Sequence, residues 1–172
     1  MKNLKKIVYG VYHNINYEAR SKEMLECLCK IGKVDFVSFA KPQSMENVNS
    51  HIINKASPFA LISFIREMKR TILSVRPDIV ALHDNDCSVL IPFVKKNLPN
   101  AKIYYDSSEL YIRDASKKKR VNLNNGLLIK IKLRLTSFRG KCEKKYLKDA
   151  DLIFAANKER AVSNALLASS SP

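Results

Sequence analysis

Three short polar clusters, each placed directly after an apolar run, hold the side chains of this sequence best suited to chemistry. They are His13-Asn14 with Asn16 just beyond, His83-Asp84-Asn85-Asp86, and Asp106-Ser107-Ser108-Glu109. Imidazoles, carboxylates and hydroxyls gathered in one place can hydrogen-bond a hydroxyl-rich ligand, transfer protons or ligate a metal. His83, Asp84 and Asp86 are of metal-ligand type, but the expectation is a site without metal. Taken singly, each cluster also reads as helix caps and turn closures, which Asx and Ser residues make routinely. Three of them at the ends of successive apolar runs point to a site without fixing its reaction.

The elements that must position these clusters follow from periodicity. KKIVYGVY (5–12), KVDFVSFA (33–40), IVALHD (79–84), KIYYD (102–106) and DLIFAA (151–156) are short β-rich runs. Between them lie helical patterns: 17–31, capped by Asn16; a helix opened by Ser57-Pro58, with Leu61, Ile65, Met68 and Ile72 as its stripe; and 86–97, which Pro92 either kinks or begins. A long basic helix is expected over 123–148 and a last one over 158–167, while 42–54 reads as an irregular polar link. Strands alternating with helices predict an α/β fold: a Rossmann-like, doubly wound parallel sheet in a single domain. In such sheets ligands bind beyond the carboxyl ends of the strands, where the three clusters fall.

Composition narrows the classes. The 172 residues are 46% hydrophobic and 27% charged, with four Gly and six Pro, which excludes collagen-like and low-complexity chains. No apolar run reaches the roughly 18 residues of a spanning helix. The basic start is too short in its apolar part for a secretory signal. Cys27, Cys29, Cys87 and Cys142 are scattered without zinc-type spacing and read as reduced, packed thiols of a cytoplasmic protein. Gly10 stands alone, so no G-x-G-x-x-G turn, P-loop or G-x-S-x-G elbow is present, which argues against a dinucleotide domain, an NTPase and an α/β-hydrolase.

The segments RPDIVALHDNDCSVLIPFV, AKIYYDSSELY and DADLIFAANKERAVSNALL, in this order around a basic helix, resemble the N-terminal half of glycosyltransferase family four. The resemblance runs through residues 3–167. It implies the GT-B architecture of two facing Rossmann-like domains, with retaining, metal-independent sugar transfer and no cofactor. In that arrangement the nucleotide-sugar is a substrate held mainly by a C-terminal donor domain. The present chain would be the acceptor-side half (1–167, with a tail over 168–172), with His13, Asn16, His83, Asp84, Asp106, Ser108 and Glu109 contacting a glycan or lipid-linked acceptor. Relatives usually carry YDSHE where this chain has Tyr105-Asp106-Ser107-Ser108-Glu109, so Ser108 stands at a family histidine. The glycine pair common in the family's first loop is absent too. The chain ends near where a donor domain would begin, which leaves a second reading: a non-catalytic membrane-docking subunit that recruits a separate donor-binding chain.

The net charge of +15 is local. Residues 113–148 hold 13 basic and two acidic side chains, against 16 and 11 in residues 1–112. On the 123–148 helix, Leu127, Leu128, Ile131, Leu135, Phe138, Cys142 and Tyr146 share an arc that should face the sheet. Lys130, Arg134, Lys141, Lys144, Lys145 and Lys148 lie opposite, with Ile129 and Leu133 among or beside them. Bases interleaved with exposed aliphatics suit an anionic membrane surface, hence a peripheral position at the inner face of the membrane. A solvated helix face is the plainer alternative. A nucleic-acid partner is the weakest of the three, because no binding motif or stacking aromatics accompany the charge.

Overall fold

The computed structural model describes residues 4–43, 45, 48–54, 59–107 and 141–155. Among the described residues six strands form one sheet: β1 Lys5–Gly10, β2 Gly32–Ser38, β3 Val48–Ile52, β4 Ile79–His83, β5 Lys102–Ser107 and β6 Leu152–Ala155. Their order is β3-β2-β1-β4-β5-β6 and every pairing is parallel. This is the doubly wound Rossmann order, in which the winding direction reverses beside β1.

Side chains alternate across the sheet and so assign each residue to a face. Ile7, Tyr9, Val34, Phe36, Ile79 and Ala81 pack with Leu25 and Leu28 of helix α1 (Ala19–Ile31). Val8, Val37, Val80, Leu82, Ile103 and Tyr105 face the opposite way. Helix α2 (Ala60–Val75) covers them with Phe64, Met68 and Ile72, the short helices α3 (Asp84–Ser88) and α4 (Ile91–Asn97) with Cys87, Ile91 and Val94, and the 3-10 turn Leu147–Asp149 with Leu147. Gly10, where β1 ends under α2, is a close approach: a Cβ there would lie 2.5 Å from the Met68 methyl carbon.

Several expected elements shift. The 42–54 link contains β3, whose sequence VNSHI is too polar to read as a strand; among the described residues it is an edge strand, pairing with β2 alone. The first helix begins at Ala19, because Asn14 caps a separate 3-10 turn over Ile15–Tyr17 through its side chain to the Asn16 N–H. The helix expected over 86–97 is two helices, and Pro92 sits in the first turn of the second, where its missing N–H costs nothing. The buried stripe of α2 is Ala60, Phe64, Met68, Thr71 and Ile72, with Leu61 and Ile65 only half-buried. Cys87 and Cys142 are buried, Cys29 is half-buried and Cys27 is exposed, so packing does not describe all four thiols. Of the long basic helix expected over 123–148, 141–146 are described and are helical and 147–148 belong to the 3-10 turn; residues 123–140 and the helix expected over 158–167 lie outside the described residues. Among the described residues, no helix is long and apolar enough to cross a membrane.

Candidate functional site

The same alternation that buries Ile79 and Ala81 turns His83 toward the α1 side, and in β5 it turns Asp106 the same way. The register makes the two direct neighbours, His83 opposite Asp106 at the carboxyl edge. Both are buried, with 0% and 2% of their surface exposed. His83 Nδ1 lies 2.9 Å from Asp106 Oδ2. Arg20, in the first turn of α1, donates from Nε (2.8 Å) and Nη2 (2.5 Å) to Asp106 Oδ1. Glu18, just before the helix, accepts from His83 Nε2 at 3.1 Å and also contacts His13 and the Ser21 hydroxyl, which donates to it. Ser21 Oγ lies 2.9 Å from His13 Nε2, and the two imidazole rings meet edge to face with centroids 5.0 Å apart. Tyr9 braces the turn from below through its hydroxyl to the Ser21 carbonyl.

The charges in this network hold one another. Burial alone would push His83 down, but its bonds to Asp106 and Glu18, with the nearby Asp84 carboxylate, raise it to about 9. Burial likewise opposes ionisation of Glu18 and Asp106. Hydrogen bonds from His13, His83 and Ser21 overcome this for Glu18, and those from His83 and Arg20 for Asp106, so both stay below the usual carboxylate range. Arg20 is held more firmly charged by Asp106. At neutral pH His83 is therefore a fixed imidazolium, a brace rather than a base. His13, Glu18 and Arg20 are each about one-third exposed and form the part a ligand can reach. Asp84 adjoins them with φ of 58°, a left-handed turn that Asp tolerates better than most residues and that swings the chain from β4 directly into α3.

His13, His83, Asp84 and Asp106 thus converge. Asn16 does not join them: its side chain donates to the Lys41 carbonyl and accepts from the Gln43 N–H, bracing the loop after β2. Ser108, Glu109, Ile129, Lys130, Leu133 and Arg134 lie outside the described residues, and Lys141, Lys144, Lys145 and Lys148 are exposed. Sequence reading missed Glu18, Arg20 and Ser21. A signal existed for Arg20, because a cation in the first turn of a helix opposes the helix dipole and needs a compensating partner. Among the described residues, His13, Glu18 and His83 have ligand atoms within 4.8 Å of one another, so by type they could hold a metal ion. Here those atoms hydrogen-bond to each other, and a cation would first have to displace the proton on His83 Nε2.

Strand order and site position together define a doubly wound α/β domain with a polar cluster at the carboxyl edge of β1, β4 and β5. The fold is similar to that of sucrose-phosphate synthase from Thermosynechococcus elongatus, with a TM-score of 0.58 at 12% identity. The match covers 87% of this chain and 41% of that one, so the chain spans about two-fifths of that protein's length. No protein-family model and no curated protein matches the sequence.

Proposed function

We propose that this domain is the acceptor-side half of a sugar-transferring enzyme, presenting the hydroxyls of a glycan or lipid-linked acceptor to a donor sugar held by a second domain. The observation that carries the reading is the convergence of Glu18, His13, Asp84 and Arg20 at the carboxyl edge of the sheet, over a buried His83–Asp106 pair that fixes their geometry. Ionised carboxylates accept hydroxyl protons, Arg20 and His13 donate to ring or hydroxyl oxygens, and the buried pair keeps the set from collapsing. The first loop lacks the glycines that bring a backbone against pyrophosphate, so nucleotide binding falls to another domain. Fold likeness to a sucrose-phosphate synthase and the order of the strand-end segments support the same direction. Retention of configuration and independence from metal follow from the family resemblance and belong to this proposal. So does the role of Ser108 and Glu109 as further acceptor contacts.

The test is binding to the full 172-residue chain. Oligosaccharides or glycolipids should bind weakly and lose that binding in Glu18→Gln and Asp84→Asn, with an unchanged melting temperature for Asp84→Asn. Nucleotide-sugars should bind more weakly still, and the chain alone should transfer no sugar, because transfer needs both reactants positioned together. Micromolar affinity for a nucleotide-sugar would mean that this is the donor half. Transfer by a separately supplied donor-binding chain, with the Glu18 and Asp84 variants fully active, would favour the docking-subunit reading instead.

A further inference from the structure

The two covered faces of the sheet carry different charge. On the α1 face the exposed charged residues of the helix are Lys22, Glu23, Glu26 and Lys30, two of each sign. On the other face α4 packs between α2 and the 147–149 turn, so three separate stretches of chain form one continuous surface. Its exposed cations are Arg66, Lys69 and Arg70 on α2, Lys96 on α4, and Lys141, Lys144, Lys145 and Lys148 beside them. The acids on these elements are withdrawn from that surface. Glu67 is engaged by Arg70 and His51, Glu143 is buried against Tyr105 and Ser107, and Asp149 is half-buried.

The outward stripe of α2 is not purely basic. Phe59, Ile62, Arg66, Lys69 and Leu73 follow one another at three- and four-residue steps, and Phe59, Ile62 and Leu73 are 65%, 58% and 48% exposed. Water disfavours that aliphatic and aromatic area, and a soluble acidic partner would match the charges without covering it at a shallow depth. A bilayer interface takes both: apolar side chains enter the acyl boundary while the bases meet lipid phosphates. Lys69 Nζ lies over the Phe93 ring, 5.0 Å from its centroid, which ties α2 to α4 on this surface.

We propose that the face built by α2, α4 and residues 141–148 docks flat on an anionic phospholipid bilayer, with Phe59 and Ile62 entering it. This enlarges the expectation drawn from the basic segment, since half of the cations come from elements that carry no charge run in sequence. Because α2 follows β3 in a parallel sheet, the inserting end lies at the same carboxyl edge of the sheet as the polar cluster. The docking does not depend on the sugar-transferring reading, and it can hold or fail independently of it.

The experiment is co-sedimentation of the full chain with vesicles of phosphatidylcholine alone or mixed with phosphatidylglycerol. Binding is expected only to the mixed vesicles and should weaken as salt rises from 0.1 to 1 M. Each cation removed near such a surface lowers affinity roughly fivefold, about 1 kcal/mol. Arg66→Gln with Lys96→Gln and Lys144→Gln should therefore lower it on the order of a hundredfold, with the melting curve retained. Ile62→Ser with Leu73→Ser should weaken binding at every salt concentration, whereas Lys22→Gln with Lys30→Gln on the α1 face should change nothing. Equal loss from the α1 pair, equal binding to both vesicle types, or binding to neither would overturn the proposal. So would tighter, salt-sensitive binding to an oligonucleotide than to the mixed vesicles.

Discussion

The protein builds the same four-residue pattern twice, on opposite faces of its sheet. On the α1 face, His83 sits between Asp106 and Glu18, with Arg20 on the aspartate. On the α2 face, His51 sits between Asp35 (3.0 Å) and Glu67 (3.4 Å), with Arg70 on the glutamate and Asn49 donating to Asp35 at 2.6 Å. The difference is place. His83 ends a central strand and has no exposed surface, while His51 lies on edge strand β3 and keeps 22% of its surface in water. Water screens the second set and can substitute for any member of it, so it tethers an edge strand and little more. In the first set Glu18 and Arg20 also reach water, but the His83–Asp106 pair at its centre cannot be re-solvated without opening the fold, so those two must be satisfied by their neighbours. Residue types alone make neither a site nor a brace; burial at the carboxyl edge of a central strand does.

Breaking the two sets should separate them by energy. Asp106→Ala strands His83 and Arg20 and should cost about 3–5 kcal/mol of unfolding free energy, as loss of one partner of a buried pair does. Chemical denaturation of the variant beside the parent chain reads this directly. A loss under 1 kcal/mol would place water in the cluster.

Alkaline titration should give the next largest effect. The folded-state value of His83, about 9, lies above its ordinary 6.5, so its stabilisation is complete below about pH 6.5 and is lost as pH rises through 9. The loss amounts to roughly 3 kcal/mol. His83→Gln should flatten that part of the pH–stability curve; an unchanged slope would assign it to other groups. Glu18 and Asp106 act with the opposite sign, stabilising above the usual carboxylate range and failing on acidification. Asp35→Ala should give the smallest change, about 1 kcal/mol or less, because its partners keep access to water. A cost equal to that of Asp106→Ala would erase the distinction between the two sets.

What the sequence revealed follows the same division. Central strands read clearly because both of their faces are buried and their middles are apolar, and the polar residues at and just beyond their carboxyl ends marked the site through His13, His83 and Asp106. Strand β3 was illegible because VNSHI is half-exposed and borrows its conformation from β2. Glu18, Arg20 and Ser21 escaped notice because their importance comes from packing across the sheet edge, with 86 residues separating Arg20 from Asp106. Asn16 misled for a related reason: a polar side chain near a strand end can serve the neighbouring loop.

The central position of β1 has a consequence for how the chain is made. Ile7 pairs with Val34 on one side and with Ile79 on the other, so one edge of β1 has no partner until 72 further residues have been synthesised. At 5–20 residues per second that interval is about 4–14 s. Through it the nascent chain holds an apolar strand, IVYG, with one row of backbone hydrogen-bonding groups unpaired and open to other chains. The yield of soluble protein should therefore depend on how fast the ribosome reaches β4, and slow codons placed between α2 and β4 should lower it more than the same codons placed after β5.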